Sequence, residues 1–284
     1  MPDELSDDRR DDTGELPGRA PSRRTVIAAS LTGLTLGACA APSSTTATTS
    51  THASGAKKPP AKSSPGAASS SRGPAPEPAI AKTAGPDIVH GPRDRQAVAL
   101  TFHGQGPVEL VREILSACHA ANAQITVFAV GTWLQATPTL GREILAAGHE
   151  LGNHTWSHQQ MKQLSAAEAT REAQQGADAL RTAVGTAGWW FRPSGTQHST
   201  ATIRAAAQAA GYQRCVSYDV DPSDYLDPGA AAVRDRTLAQ VQPGSIISLH
   251  FGHTGTAAAL PAILAGLSRK GLAPVTLSRL LAAA

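Results

Sequence analysis

The stretch Glu150-Leu-Gly-Asn-His-Thr-Trp-Ser-His-Gln-Gln-Met161 places two histidines four residues apart, directly after a short apolar segment. If this step is the first turn of a helix, the imidazoles of His154 and His158 leave the same face. Neutral imidazole is the commonest side-chain ligand for zinc and similar metals. A catalytic zinc site needs a third protein ligand and an open position for water. The stretch therefore predicts two ligands of a metal site, with further ligands elsewhere in the chain.

Strand and helix patterns alternate along the rest of residues 86–284. The predicted strands are residues 97–102, 124–131, 149–153, 189–192, 214–220, 245–250 and 273–277. Helical patterns lie between them, over residues 108–122, 137–148, 165–184, 200–210, 230–241 and 257–270. Strands separated by helices imply crossovers and a parallel sheet. These repeats predict an α/β fold, either an irregular barrel or an open doubly wound sheet.

Polar side chains collect where the predicted strands end. Both architectures place active groups at the carboxyl ends of parallel strands. Ligand-type or titratable residues follow five of the predicted strands: His103, His154, Arg192, Asp219 with Asp221 and Asp224, and His250 with His253 beyond it. A single histidine is more often a packing or surface residue. The occurrence of such residues at five strand ends predicts an active site at this edge of the sheet.

Four short motifs carry a resemblance to a known family. Asn153-His-Thr-Trp-Ser-His158 resembles the metal motif of polysaccharide deacetylases, the NodB-homology group of carbohydrate esterases. Phe191-Arg-Pro-Ser-Gly195, Asp221-Pro-Ser-Asp-Tyr225 and Ser248-Leu-His250 resemble three further motifs of that family, in the same order. The resemblance implies a distorted (β/α)7 barrel of parallel strands. It also implies a metal-dependent hydrolase that removes N-acetyl groups from an amino-sugar polymer, with cell-wall glycan the expected substrate.

The resemblance assigns metal and substrate contacts to particular residues. His154 and His158 would bind a divalent metal, for which zinc is expected and cobalt, manganese and nickel are alternatives. Tyr225 stands where the family usually has Trp, and with Pro193 it would bind the N-acetylated glycan.

The resemblance also implies catalytic roles, and here the chain departs from the family. His250 would protonate the leaving amine, Asp224 would hold His250 cationic, and Arg192 would orient the base. The family's first motif, Thr-Phe-Asp-Asp-Gly, supplies the base and a metal ligand, whereas this chain has Thr101-Phe-His-Gly-Gln-Gly106. His103 can serve as the base, because imidazole titrates near neutral pH, or it can be a third histidine ligand.

Other readings of the first motif remain open. Gln105 is a candidate oxygen ligand, and Glu109 is a more distant candidate. A site that has lost catalysis would make the protein a non-catalytic carbohydrate-binding lipoprotein. An amidase acting on another non-peptide C–N bond is the third possibility.

The first 85 residues predict export rather than a folded domain. Ser22-Arg-Arg24 precedes an uncharged run over residues 25–38 that is too short to span a bilayer. The paired arginines indicate a twin-arginine signal over residues 1–39, and Leu36-Gly-Ala-Cys39 resembles a bacterial lipobox. Residues 40–85, rich in Ser, Thr, Ala and Pro, predict a disordered linker. We expect a protein lipid-anchored through Cys39 to the outer face of the bacterial plasma membrane, or secreted if Cys39 is not lipidated.

Composition narrows the remaining possibilities. The chain has 25 Lys and Arg against 22 Asp and Glu, without a basic stripe or an aromatic ladder, so nucleic acid is not an expected partner. Residues 86–284 suffice for one domain with its own core, which we expect to be monomeric. Cys118 and Cys215 can pair in an exported protein or remain as two buried thiols.

Overall fold

A computed structural model of the protein describes residue 79 and residues 85–283. The predicted signal segment 1–39 lies outside the described residues, as does the predicted linker 40–85 apart from Ala79 and Gly85. None of the helices among the described residues is both long and apolar enough to cross a membrane.

The described residues form a layer of short parallel strands surrounded by helices. The strands are β1 (Asp87–Ile88), β2 (Ala97–Gly104), β3 (Thr126–Ala129), β4 (Glu150–Asn153), β5 (Cys215–Val216), β6 (Ile246–His250) and β7 (Ala273–Pro274). The helices are α1 (Val108–Ala120), α2 (Gly131–Ala136), α3 (Pro138–Ala146), α4 (Ala166–Val184), α5 (Ala201–Ala209), α6 (Ala230–Gln240), α7 (Thr254–Arg269) and α8 (Leu277–Leu281). Short 3-10 turns lie at Met161–Gln163 and Asp224–Leu226.

The strands curve into an irregular barrel. Strands β4, β3, β2 and β6 pair in that order, and β7 also pairs with β2. Phe191 forms parallel bridges to Asn153 and to Cys215, and Val220 bridges to Ile247. These bridges connect β4 through Phe191 to β5, and the segment that follows β5 to β6, so that the described strands close into a ring. The prediction of an α/β fold with a distorted barrel of parallel strands is confirmed.

The core lies between β2 and the surrounding helices. Leu100 and Phe102 on β2 are fully buried and share one cluster with Val111 and Ile114 of α1. Each such side chain contributes about 1.5–3 kcal/mol when it leaves water. Because β2 pairs on both sides with other strands, its carboxyl end, where His103 lies, is a rigid position within the barrel.

Several predicted elements differ from those observed. The predicted fourth strand, 189–192, is reduced to a bridge at Phe191, although the Asn153 amide still donates to the Trp190 carbonyl at 2.8 Å. Pro193 ends the strand pattern there because it has no N–H for a ladder. The apolar run 124–131 ends as a strand at Ala129, and α2 begins at Gly131.

The two cysteines of the domain are both buried and free. Cys118 lies on α1 and Cys215 on β5. Burial raises the pKa of each thiol to about 12. Both therefore remain protonated packing groups at neutral pH.

Candidate metal centre and active site

Four imidazoles meet at the carboxyl ends of β2, β4 and β6. His103 pairs in register with His250 across the β2–β6 ladder, and their rings stack with centroids 4.2 Å apart. The His154 ring lies 4.4 Å from that of His103 and 4.9 Å from that of His158. One potential ligand nitrogen from each of His103, His154 and His158 lies within 4.8 Å of the others. The structure thus brings the predicted pair together with the histidine of the altered first motif.

Hydrogen bonds leave lone pairs on two of these three histidines. Nδ1 of His154 lies 2.8 Å from the Arg192 carbonyl oxygen, which can only accept, so this nitrogen carries the proton. Nε2 of His154 is then an acceptor; it is buried and has no hydrogen-bond partner. Nε2 of His103 lies 3.0 Å from Oγ of Ser248, and if it donates there, Nδ1 keeps its lone pair. Metal-binding histidines typically donate their second ring N–H to such a partner.

The segment that carries the histidine pair is a loop rather than a helical turn, so the predicted helical step is wrong. Residues 154–160 form no helix, and Thr155 and His158 adopt left-handed backbone angles with φ of 68° and 60°. The loop is held by Asn153, whose Oδ1 accepts from the Thr155 amide at 2.8 Å. The two imidazoles still converge because the loop curls back rather than because a helix aligns them.

His250 has a carboxylate partner. Oδ1 of Asp224 lies 2.7 Å from Nδ1 of His250, and Oδ2 accepts from the His250 amide at 2.8 Å. Thr256 also donates its hydroxyl to Oδ2 at 2.6 Å. The Asp224 side chain is fully buried, whereas that of His250 is 21% exposed. This arrangement fixes the orientation of the imidazole and holds Nδ1 against the carboxylate, so that Nε2 is the ring nitrogen left for proton transfer.

Arg192 supports the barrel wall beside the cluster. Its guanidinium donates to the Thr101 hydroxyl at 2.8 Å and to the Val216 and Ser217 carbonyls at 3.3 and 3.0 Å. The expected contact with the residue in the base position is absent among the described residues, because an imidazole at 103 offers no carboxylate to a guanidinium. Burial lowers the pKa of Arg192 to about 9, which leaves it cationic at neutral pH.

Burial and mutual repulsion favour neutral imidazoles in the cluster. Removal from water lowers the pKa of His103 well below its usual value, and the nearby His154, His250 and Arg192 lower it further. Burial likewise lowers the pKa of His154, with His158 the next contribution. The pKa of His158 is lowered mainly by burial. Metal binding requires the deprotonated imidazole.

The remaining candidate residues, predicted to bind glycan or to replace the missing carboxylates, occupy different environments. Tyr225 is 48% exposed, and its ring lies 5.4 Å from that of His250, so its face is available beside the cluster. Pro193 is buried, and Gln105 and Glu109 are exposed and do not belong to the three-histidine group.

The three histidines fit a divalent metal. A buried nitrogen without a hydrogen-bond partner costs about 1–3 kcal/mol, and His154 Nε2 is such an atom. A cation shared with His103 and His158 would satisfy it. Three imidazole nitrogens are a ligand set that zinc-class ions accept.

Comparison with known proteins identifies the family. The sequence pattern described as polysaccharide deacetylase matches residues 90–215. A peptidoglycan-N-acetylglucosamine deacetylase of Bacillus cereus is 30% identical over 194 residues, which cover 67% of this chain and 90% of that protein. The chain belongs to the polysaccharide deacetylase family. The deacetylases of this family are hydrolases that act on carbon–nitrogen bonds other than peptide bonds.

Solved structures with the deacetylase fold agree with the barrel. A peptidoglycan N-acetylglucosamine deacetylase structure matches with a TM-score of 0.64 and 26% identity, over 69% of this chain and 92% of that one. The wild-type structure of a CE4 family pseudoenzyme from Bacillus anthracis matches with a TM-score of 0.65 and 23% identity, over 69% of each chain.

Two supporting residues of this candidate site were not predicted from the sequence. Ser248 lies in the Ser248-Leu-His250 motif, and its contact with His103 follows from the period of two along β6, which turns residues 248 and 250 to the same face. Glu172 on α4 is 5% exposed and contacts the loop that carries His158. No spacing in the sequence singles out Glu172, because its contact depends on how α4 packs beside β4.

Proposed function

We propose that this protein is a metal-dependent N-deacetylase of an amino-sugar polymer. The observation that carries the proposal is the convergence of His103, His154 and His158 within 4.8 Å, with the Asp224-bound His250 stacked against His103 at 4.2 Å. These are the two parts that amide hydrolysis needs, a cation site and a proton donor beside it. The family relationship supports the same reaction class.

His103 is assigned as the third metal ligand rather than as a free base. Its ring lies in one group with the other two ligands, and Ser248 fixes one nitrogen as expected for a ligating imidazole. A divalent ion held there would polarise the acetamide carbonyl and acidify a water molecule. Zinc is the expected ion, because three imidazoles with an open position are a zinc set.

His250 is then the group that moves protons. None of the hydrogen bonds of His103, His154 or His250 among the described residues goes to a carboxylate other than Asp224. With Nδ1 held by Asp224, Nε2 of His250 takes the proton released by the attacking water and delivers it to the departing amine nitrogen. The C–N bond breaks as the amine gains this proton, and acetate is released.

The substrate is proposed to be an N-acetylated cell-wall glycan. The exposed ring of Tyr225 beside His250 offers an apolar face on which a sugar ring can stack. The relative from Bacillus cereus is named for an amino sugar of peptidoglycan. Peptidoglycan and chitin oligomers, assayed side by side, would distinguish the glycans.

Acetate release tests the catalytic proposal. The purified protein with zinc should release acetate from N-acetylated glycans, chelation should stop the release, and added zinc should restore it. A His154→Ala variant should remain inactive with added zinc. Glycan binding that persists after chelation, without acetate release, would instead support a non-catalytic carbohydrate-binding protein. The absence of carboxylates from the first motif favours this alternative. Release of other acyl groups in preference to acetate would support an amidase.

We further propose export and lipid anchoring through Cys39. The support is the sequence alone: paired arginines, a short apolar run and a small-residue motif that ends in cysteine. Fractionation of cells that express the full chain should place it with membranes, and Cys39→Ala should move it to the soluble fraction. Retention of that variant on membranes would contradict the anchor.

A further inference from the structure

The position of His158 depends on the backbone of its loop. The His158 side chain makes no hydrogen bond among the described residues, whereas His154 is buried and held by the Arg192 carbonyl. The loop between them is strained, since Thr155 and His158 both have left-handed φ angles. Such residues cost about 1–3 kcal/mol each and persist only where the surrounding structure imposes them. Some neighbouring group must therefore hold this loop in place.

Glu172 contacts both residues that flank His158. Its Oε2 accepts from the Ser157 amide at 2.8 Å, and Oε1 accepts from the Ser157 hydroxyl at 2.6 Å and from Nε2 of Gln159 at 3.0 Å. The carboxylate is 5% exposed and forms no ion pair with a lysine or arginine among the described residues. A buried carboxylate is tolerated where its oxygens are fully hydrogen-bonded. Bonds to a charged acceptor are about twice as strong as neutral ones, so Glu172 holds the loop firmly.

Helix α4 holds the other end of the same loop. Nδ2 of Asn153 donates to the Ala173 carbonyl at 2.8 Å, while its Oδ1 accepts from the Thr155 amide. Gly176 leaves the space that this contact needs, because a Cβ there would lie 2.2 Å from Asn153 Oδ1. Residues 172–176 of α4 therefore contact both ends of the loop, and Glu172 contacts the end that carries the exposed ligand.

We propose that Glu172 is a positioning residue for the metal centre, which sets the His158 imidazole where it can share a cation with His103 and His154. The inference rests on the proposed metal-dependent function. It assigns a role to a residue that lies outside the four family motifs and does not touch the cluster itself.

Zinc affinity of the full-length protein, measured by competition with a chelator, tests this role. Glu172→Gln keeps the side-chain size but places an NH2 group against donors, so we expect zinc affinity to fall about 10-fold or more, within the range for outer partners of metal ligands. The visible spectrum of the cobalt-loaded variant should change as His158 shifts. Asp178→Asn is the matched control, because Asp178 is an exposed carboxylate on α4 that pairs with Arg181; its zinc affinity should equal that of the wild type.

The remaining outcomes separate this inference from the proposed function. If Glu172→Gln lowers the stability of the metal-free protein but keeps wild-type zinc affinity and cobalt spectrum, Glu172 is only structural and the inference is overturned. If Glu172→Gln does not fold, Ser157→Ala, which removes one donor at an exposed residue, should weaken zinc binding about 3-fold, and unchanged affinity would overturn the inference. If the wild type itself binds no divalent cation, the proposed function fails and the inference fails with it.

Discussion

At the scale of single residues, the imidazole at position 103 changes the chemistry of the site. The family motif places carboxylates at the end of this strand, whereas His103 contributes a neutral ring that contacts Ser248 and stacks on His250. Neutral ligands compensate less of the charge of a divalent cation than carboxylates do. A cation held by three imidazoles would therefore acidify water strongly, as three-histidine zinc sites do.

Removal of the imidazole at position 103 should therefore affect metal binding more than any other property of the protein. We expect His103→Ala to weaken zinc binding by at least about 100-fold, because loss of a direct ligand exceeds the 10–100-fold effect of outer partners. Metal analysis of the purified protein measures this directly. His253→Ala is the control, since His253 pairs with Asp227 at 2.8 Å and lies outside the three-histidine group. Full zinc content in His103→Ala, with activity lost, would instead make His103 the base.

The carboxylate behind His250 should matter for turnover and not for metal content. Asp224→Asn removes the charge that supports a protonated His250, so kcat for acetate release should fall about 100-fold or more, within the range for general acid–base catalysis. Asp227→Asn, at the exposed neighbouring pair, should change kcat by less than about 3-fold. Equal activity in the two variants would remove His250 from the proton-transfer step.

At the scale of elements, the sequence predicted the helices better than the shape of the histidine loop. The helix predicted over residues 165–184 is present as α4 and begins with a capping box of Ser165 and Glu168, because caps are local and readable from spacing. The helical turn proposed for His154 and His158 was wrong, since the loop depends on contacts with α4 that are distant in sequence. The cluster itself was partly predictable, because parallel strands bring their carboxyl ends together, whereas the contact of Glu172 with the loop was not.

At Gly176 on α4, helix propensity favours alanine, whereas packing against the histidine loop favours glycine. In an isolated helix, Gly→Ala gains about 1 kcal/mol, but here the added Cβ would lie 2.2 Å from Asn153 Oδ1 and 2.8 Å from the Thr155 carbonyl carbon. Because overpacking of this kind costs about 1–3 kcal/mol, we expect Gly176→Ala to lower the unfolding free energy in urea and to weaken zinc binding. Thr170→Ala, at a half-buried position of the same helix, should be neutral or slightly stabilising. A Gly176→Ala variant more stable than the wild type would show that α4 does not pack tightly against the loop.

At the scale of the whole molecule, the barrel holds several histidines in their neutral form. Burial is the first cause of the lowered pKa at His103, His149, His154 and His158. In the unfolded chain, these imidazoles would titrate near pH 6.5. As the pH falls below that value, the unfolded state binds more protons than the folded state, and stability decreases. The contribution of these four neutral histidines to the unfolding free energy is fully present at pH values above their pKa in the unfolded chain.

The metal-free protein should therefore lose stability between pH 7.5 and pH 5, measured as the unfolding free energy in urea at each pH. His149 allows a test away from the metal cluster, because its Nδ1 accepts from the Ile125 amide at 3.3 Å and protonation would break this bond. His149→Gln removes the titrating group, so its stability should fall less steeply with decreasing pH than that of the wild type. His119→Gln, at an exposed position near the end of α1, should keep the wild-type slope. If His149→Gln also keeps that slope, His149 is not among the groups whose burial couples folding to pH.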